Sequence, residues 1–370
     1  MQSILAVTIP FFALVLCGYL AARRHVLPEA AIPGLNAFVL FFALPCMLFR
    51  FGASMPFAQL IDPALIGVYI ACALLVVALA VGLALHGGLD LKNAAFGALV
   101  AAFPNTGFMG VPLLAALLVV GLTVALTLRG GIDLKNAAFG ALVAAFPNTG
   151  FMGVPLLATL LGERAAGPVI GTVLVDLLLT SSLCLALAQS RRHDGQPHGH
   201  AGTSLRRALR GAVGNPLPWA IGLGALLAAS GLELPAPVAQ IVKMLGDAAT
   251  PVALFTIGAV LWRAGQHAHT RTPVGRFLPV ALVKLLLHPL LVLGTGLAAR
   301  GLGLPLSDFG LVVLALAAAL PSASNVSLLA ERYRADNGRI ARIILASTVL
   351  AFGSFSLLAA WLIPHALPGR

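Results

Sequence analysis

The stretch 130–158, GGIDLKNAAFGALVAAFPNTGFMGVPLLA, decides the fold because its apolar run is interrupted at Pro147, Asn148 and Thr149. Proline removes a backbone donor and clashes with the preceding turn, so a helix is expected to break there. In lipid the freed carbonyl groups need partners, which places such a break against protein or a water-filled cavity. The helix start after the break can receive an anionic group. Two interpretations follow: a binding site, or a plain proline kink satisfied by local polar side chains.

The same stretch occurs twice, because residues 87–115 read GGLDLKNAAFGALVAAFPNTGFMGVPLLA. The two copies differ only at Leu89 and Ile132, and the similarity extends upstream, from 73–86 to 116–129, at the same offset of 43 residues. Repeats that build a transporter fold are usually recognisable only as weak sequence or hydropathy symmetry. This near-verbatim copy therefore indicates a recent duplication or an error of sequence assembly, and without it the chain has 327 residues.

The composition places the chain in a lipid bilayer. Of its 370 residues, 59% are hydrophobic and 9% are charged, against about 25% charged in soluble domains. Apolar runs long enough to cross the hydrocarbon core recur from end to end. The first run has no preceding basic residue and no cleavage site, so it is predicted to be a retained span. The predicted spans are 4–22, 32–52, 63–86, 94–128, 137–161, 166–188, 214–231, 238–262, 277–299, 307–330 and 339–363.

The net charge is +11, and the basic residues lie mainly in alternate loops. Orientation of the chain in the membrane is therefore a sufficient reason for the excess of basic residues. The positive-inside rule then predicts a multi-pass protein of the bacterial inner membrane with both termini in the periplasm. No nucleic-acid partner is needed to explain the charge. The segment 94–128 is too long for one ordinary span, so we expect it to enter from the cytoplasm, bend near 104–110 and return. The four cysteines lack ligand spacing, and no metal or cofactor is predicted.

A second, weaker repeat relates the two halves of the chain. The motif PxxLF occurs at 45–49 and at 251–255, and AAFPNTG at 144–150 corresponds to AALPSASN at 318–325. Two motifs in the same order, in two halves of five spans each, predict inverted repeats, because an odd number of spans turns the second half over. The predicted fold is all-α: a ten-helix core of two inverted five-helix repeats with crossed broken helices, plus an extra duplicated segment. The predicted parts are 1–188, a cytoplasmic connector at 189–212, and 213–370.

Four motifs together resemble the auxin efflux carrier family of bacterial permeases, relatives of the plant auxin exporters and of the bile acid and arsenite transporters. They are NAFVLFFALPCMLF at 36–49, AAFPNTGFMGVPLL at 144–157, KLLLHPLL at 284–291 and LAAALPSASNVSLLAERY at 316–333. The resemblance covers the whole chain except one copy of the duplicated segment. It implies broken helices that cross at mid-membrane beside the substrate, and transport of organic acids such as auxin-like compounds, malonate or malate. The departure is the second break, since Asn105 and Asn148 cannot both occupy the family position.

Charged residues at membrane depth are rare and usually functional. The candidates are Asp176, Lys284 and His288, together with Lys243 and Asp247, which lie four residues apart and are expected to pair on one helical face. Lys284 either holds a carboxylate substrate or neutralises Asp176 in a structural ion pair. Asp176 is the mid-span carboxylate available for proton coupling.

The sequence therefore predicts a secondary transporter of small organic anions, working by alternating access. ATP-binding and catalytic motifs such as GxxxxGK[ST], HExxH and GxSxG are absent, so the chain is not predicted to be an enzyme. The alternatives are a sodium- or proton-coupled symporter of another solute, a channel or a non-transporting sensor. A homodimer is compatible with the sequence. The candidate substrate or ion-binding residues are Pro104, Asn105, Pro147, Asn148, Thr149, Asp176, Lys284, Pro321, Ser322 and Asn325. We favour Asn148 over Asn105, because its helix runs directly into the next span.

Overall fold

A computed structural model describes residues 2–54, 110–176, 180, 184, 216–266, 272–301 and 306–366. The described residues form helices, with a short 3₁₀ turn at Glu163–Ala165. We number the helices α1 Gln2–Arg23, α2 Ala31–Ser54, α3 Gly110–Arg129, α4 Leu134–Ala145, α5 Thr149–Leu161, α6 Ala166–Val175, α7 Pro216–Ser230, α8 Ala236–Gln266, α9 Val274–Gly301, α10 Asp308–Ala318, α11 Asn325–Arg332 and α12 Asn337–Ala366.

Five of these helices are long and apolar enough to cross a membrane: α1, α2, α8, α9 and α12. Shorter apolar helices lie between them, among them α4, α5 and α10. Large apolar side chains such as Leu16, Trp219 and Trp361 are exposed on the outside of the bundle, as a lipid environment requires. Within the described residues there is no β-strand beyond a single isolated bridge. The prediction of an all-α, multi-pass membrane protein is confirmed.

Helices α1 and α8 approach closely because each presents a glycine to the other. A Cβ atom added at Gly18 would lie 1.8 Å from the carbonyl oxygen of Phe255, and one added at Gly258 would lie 1.9 Å from that of Val15. Small residues of this kind let helix backbones meet in a membrane, where packing rather than water exclusion drives association. Neither position can hold a larger side chain without separating the helices.

Helices α2 and α7 meet in the same way. A Cβ atom at Gly224 would lie 2.1 Å from the carbonyl oxygen of Phe49, and one at Gly52 would lie 2.5 Å from that of Ile221. Gly52 follows Phe49 by three residues, as Gly258 follows Phe255. The contact residues of the two pairs therefore match position by position along the shared PxxLF motif.

The duplicated segment enters the described structure as α3. Its residues 110–115 belong to the first copy and its residues 116–129 to the second, yet the 20 residues form one continuous helix, about 30 Å long. The predicted bend near 104–110 and the preceding part of 94–128 lie outside the described residues. After Gly131, which has a φ of 75°, Asp133 caps α4 by accepting a hydrogen bond from the Asn136 backbone N–H. The second copy thus runs without interruption into the break at Pro147.

The starts of α4, α9 and α12 lie at one end of the bundle. Arg339 of α12 donates from Nε to the carbonyl of Arg276 at 2.9 Å and from Nη1 to that of Asn136 at 3.1 Å. Lys135 donates to the carbonyl of Arg334 at 2.8 Å. Basic residues that the sequence assigns to alternate loops therefore gather on one side.

Two arginines lie near the start of α10, at the end of the bundle where α9 finishes. Arg300 forms an ion pair with Asp308, and Arg164 lies over the ring of Phe309, 4.1 Å from its centroid. Because α9 has its start at the basic end and its last residues here, these two arginines mark the opposite side of the bundle.

Candidate functional site

The two broken helices meet at their breaks and complete each other's backbone hydrogen bonding. Asn148 donates its backbone N–H to the carbonyl of Pro321 at 2.9 Å, and Ala323 donates to the carbonyl of Phe146 at 3.0 Å. Pro147 and Ser322 thereby form an isolated antiparallel bridge between the end of α4 and the end of α10. The freed backbone groups find their partners mainly in the opposite break, where we had expected local Asn, Thr and Ser side chains to supply them.

Among the described residues, three buried oxygen atoms around this bridge have no hydrogen-bond partner: Asn148 Oδ1, Ser322 Oγ and Asp176 Oδ2. Their residues are 2%, 1% and 4% exposed. Buried polar atoms are nearly always paired, so a group of unpaired ones in adjoining segments calls for an explanation. A ligand or ion that completes their hydrogen bonding is the explanation that suits a break lined by polar side chains.

Asp176 lies directly after α6, behind the first break. Its carboxylate accepts a hydrogen bond from the Thr180 hydroxyl at 3.5 Å and interacts with the hydroxyl of Thr149. It also interacts electrostatically with Lys284, although the structure records no direct hydrogen bond or ion pair between these two described side chains. The carboxyl group is therefore held close to the break, and its Oδ2 has no hydrogen-bond partner among the described residues.

Lys284 lies in a π-helical turn of α9, Val283–Leu287, and its side chain is fully buried. Its ammonium donates to the carbonyl of Ala318, the last residue of α10, at 2.5 Å. It also lies 3.2 Å from Nδ1 of His288, which accepts a hydrogen bond when Lys284 is charged. The lysine thus holds the carbonyl end of the second broken helix, three residues before Pro321.

A narrow cleft runs from the crossing to the packed helices α2 and α8. Its walls leave no room for a water molecule. Its lining residues are Asn36, Val39, Phe151, Ala253, Thr256, Ile257, Val260 and Ser324. The cleft therefore has to widen before a substrate can enter.

The sequence had singled out several residues that the structure brings together: Pro147, Asn148, Thr149, Pro321 and Ser322 at the bridge, with Asp176 and Lys284 behind it. Asn325 begins α11, directly after the second break. Pro104 and Asn105 lie outside the described residues.

Three polar residues of the cleft were missed from the sequence: Asn36, Thr256 and Ser324. Ser324 stands inside the PSASN motif, so the motif itself could have indicated it. Asn36 and Thr256 gave only the signal of single polar residues in apolar helices, and packing between helices decides where such residues point.

The spacing of Lys243 and Asp247 allows them to pair, but the structure gives Asp247 a different partner. Asp247 instead forms an ion pair with Arg50 of α2, at 2.6 Å. Helices α2 and α8 pack side by side at this point, where a Cβ atom on Gly246 would lie 3.3 Å from the backbone of Met47, so the arginine of the neighbouring helix is within reach. Sequence spacing identified the carboxylate but not its partner.

Comparison with known proteins gives two matches. The family described as membrane transport protein matches residues 3–129 and 118–359. The ranges 3–129 and 118–359 overlap within the duplicated region, and each range includes one copy of the break. A protein of Rhizobium meliloti (strain 1021) described as "Putative malonate transporter" is 27% identical over 372 residues, covering 100% of this chain and 98% of the relative.

Proposed function

Because the chain belongs to the membrane transport protein family, the auxin efflux carriers that its motifs resemble, we propose that it is a secondary transporter of small organic anions. It is a membrane transporter and not an enzyme. Malonate is the first substrate to test, since the relative from Rhizobium meliloti carries that name. Malate and indole acetate are the next, as further organic acids of the kind the resemblance implies.

The observation that carries the proposal is the paired break with its unsatisfied oxygens. Among the described residues, Asn148 Oδ1, Ser322 Oγ and Asp176 Oδ2 are buried without partners beside two interrupted helices. The amide and carboxylate oxygens accept hydrogen bonds and suit a coupling cation or proton, whereas hydroxyl and N–H groups receive the anion. Discontinuous helices of this kind form substrate and ion sites near the midplane of many secondary transporters. The start of α5 and the start of α11 face the anion with backbone N–H groups, and the Asn148 amide offers both a donor and an acceptor.

The matched glycine contacts support a fold of two inverted repeats. The contact of Gly18 with Phe255 corresponds to the contact of Gly224 with Phe49. Gly224 follows Gly18 by 206 positions, and Phe255 follows Phe49 and Gly258 follows Gly52 by the same number. In this arrangement α1, α2, α7 and α8 form one unit, and the crossed broken helices belong to the other. Alternating access then consists of movement of the second unit against the first, which opens the cleft that the two share.

The gathered basic helix starts support a cytoplasmic position for that end of the bundle, and so for the connector at 189–212, which lies outside the described residues. Both termini then face the periplasm of a bacterial inner membrane. The chain divides at this connector into the halves 1–188 and 213–370. A coupling ion, proton or sodium, and a homodimer complete the proposed working form.

The test is uptake of radiolabelled malonate by proteoliposomes that contain the purified protein. A carrier gives saturable uptake that speeds up when the vesicles are loaded with unlabelled malonate, because exchange needs only the loaded carrier to reorient. A channel shows no such acceleration. If malonate, malate and indole acetate neither enter the vesicles nor bind to the protein, the proposed function is rejected.

A further inference from the structure

The carbonyl end of α10 is the most unusual electrostatic feature of the crossing. The last carbonyl groups of a helix have no partners within the helix and carry a partial negative charge. Here the backbone N–H of Ala319 donates to the carbonyl of Ala315, and that of Leu320 donates to the carbonyl of Ala317. The side-chain nitrogen of Lys284 donates to the carbonyl of Ala318. The end of a lysine side chain is therefore buried against this helix end.

Helix ends of this kind have a known use in secondary transporters. Carbonyl groups at the ends of interrupted helices, together with neighbouring oxygens, coordinate the Na⁺ ion that drives transport. A lysine ammonium offers the same unit charge and directs three N–H groups at such oxygens. A lysine that reaches this position therefore satisfies the same carbonyl groups without a metal ion.

The neighbours of the Lys284 ammonium fit the role of a resident cation. Two of its three N–H groups are directed at Ala318 O and His288 Nδ1. Asp176 provides the nearby negative charge.

The end of α4 is completed differently. The carbonyl of Phe146 receives the backbone N–H of Ala323, and the N–H of Phe146 stays within its own helix by donating to the carbonyl of Leu142. This end is held by backbone groups, whereas the end of α10 is held by a charged side chain. The cation belongs to the second break.

We propose that Lys284 is a built-in cation that takes the place of a coupling Na⁺ at the end of α10. This inference rests on the proposed transport function, which it deepens by excluding Na⁺ from this position. The protein then binds its anion equally well with and without Na⁺. The role of Lys284 is to position α10 and balance Asp176, rather than to hold the substrate.

The experiment compares melting temperatures of the purified, substrate-free protein in NaCl, KCl, choline chloride and ethylammonium chloride at equal ionic strength. The wild-type protein is expected to melt at the same temperature in NaCl and in choline chloride. Lys284→Ala is expected to melt roughly 5–10 °C lower in choline chloride, because Asp176 and the Ala318 carbonyl lose their cation. Part of that loss should return in NaCl or in ethylammonium chloride, since either cation fits the space that the side chain leaves.

Lys243→Ala is the matched control, because Lys243 is an exposed lysine of α8, and its melting temperature should not depend on the cation. Lys284→Arg keeps a basic side chain and replaces Lys284→Ala in the experiment if Lys284→Ala does not fold. Its melting temperature should be higher than that of any neutral variant that can be purified, such as Lys284→Met. Selective stabilisation of the wild-type protein by Na⁺ overturns the proposal. So does a Lys284→Ala protein that melts like wild type, or one that melts equally low in all four salts.

A binding measurement separates this inference from the proposed function. Malonate affinity of the wild-type protein is measured in NaCl and in choline chloride. Equal affinities support the resident cation, and affinity that appears only in NaCl contradicts it. Absence of malonate binding in both salts argues against the substrate, while the melting series still decides the role of Lys284.

Discussion

The two broken helices share one backbone bridge but differ in the groups that complete it. At the first break, Asn148 presents an amide oxygen without a partner, and α5 begins with a π-helical turn, Thr149–Gly153. At the second, the Lys284 side chain donates a hydrogen bond to the carbonyl group at the end of α10. The framework around them is alike in both halves, since the two glycine-packed pairs match position by position. The two breaks therefore differ in the groups at their ends, although the glycine contacts of α1 with α8 and of α7 with α2 follow one pattern.

The largest effect is expected from breaking the scaffold that the halves share. Gly224→Val places side-chain atoms on the carbonyl of Phe49, where even a Cβ would lie 2.1 Å away. Separating α2 from α7 should cost about 3 kcal/mol or more and leave little monodisperse protein. Size-exclusion chromatography with a thermal melt measures this loss. Gly222→Val on the same helix is the control, because nothing lies within 4 Å of a Cβ there; equal loss in both would show that helix propensity, and not the contact, is responsible.

The next largest effect concerns the charge behind the first break. Asp176→Asn keeps the shape of the side chain and removes the carboxylate that we propose for coupling. We expect uptake driven by an ion gradient to fall roughly tenfold or more, while exchange of malonate across the same vesicles persists. Asp308→Asn, at an exposed carboxylate paired with Arg300, should leave both activities near wild type. Retention of driven uptake by Asp176→Asn would assign coupling elsewhere.

A smaller effect tests which copy of the break is in use. Asn148→Ala removes the unpaired amide and should weaken malonate binding by roughly tenfold, the value of one buried hydrogen bond to a charged ligand. Asn105→Ala makes the same change in the same local sequence of the first copy, and we expect its affinity to match wild type. Isothermal titration of the two purified variants gives the comparison directly. Loss of affinity in Asn105→Ala alone would reverse the assignment.

The smallest effect is expected from removing one copy altogether. Deletion of residues 73–115 joins Cys72 to Ala116 and leaves the second copy, with its break at Pro147, intact. Because α3 already leads directly into α4, malonate affinity should change by less than about twofold, within the range of neutral changes. Deletion of 116–158 joins Ala115 to Thr159 and gives nearly the same 327-residue sequence, so it should behave alike and serves as the matched control. Failure of the first deletion to fold would show that the first copy is part of the core.

The sequence predicts the position of the breaks well and their partners poorly. Proline within an apolar run locates Pro147 and Pro321 without any structure. The bridge between them joins residues more than 170 positions apart, and only the packing of the helices brings their backbones together. The same holds for Asp247, whose partner Arg50 lies on another helix. Spacing identifies groups that need a partner, whereas tertiary packing decides which partner they receive.

Lys284 illustrates the limit further. Its depth in an apolar helix marks it as functional, and the sequence leaves two roles open, substrate ligand or neutraliser of Asp176. Neither of these roles includes the hydrogen bond to the carbonyl of Ala318. Sequence alone does not show that the end of α10, with its unpaired carbonyl groups, lies beside α9. The cleft residue Thr256 was missed for a related reason, since one threonine in an apolar helix gives no sign of which neighbour it faces.

The bridge between Pro147 and Ser322 also bears on the history of the gene. Pro321 offers one carbonyl and Ala323 one N–H, and the second copy of the break already occupies both. A further PNTG segment has no second edge to join, so selection for pairing acts on one copy alone. The other is free to drift. If the copy arose by a recent duplication rather than by an error of sequence assembly, substitutions in descendants of this gene should accumulate first around Asn105.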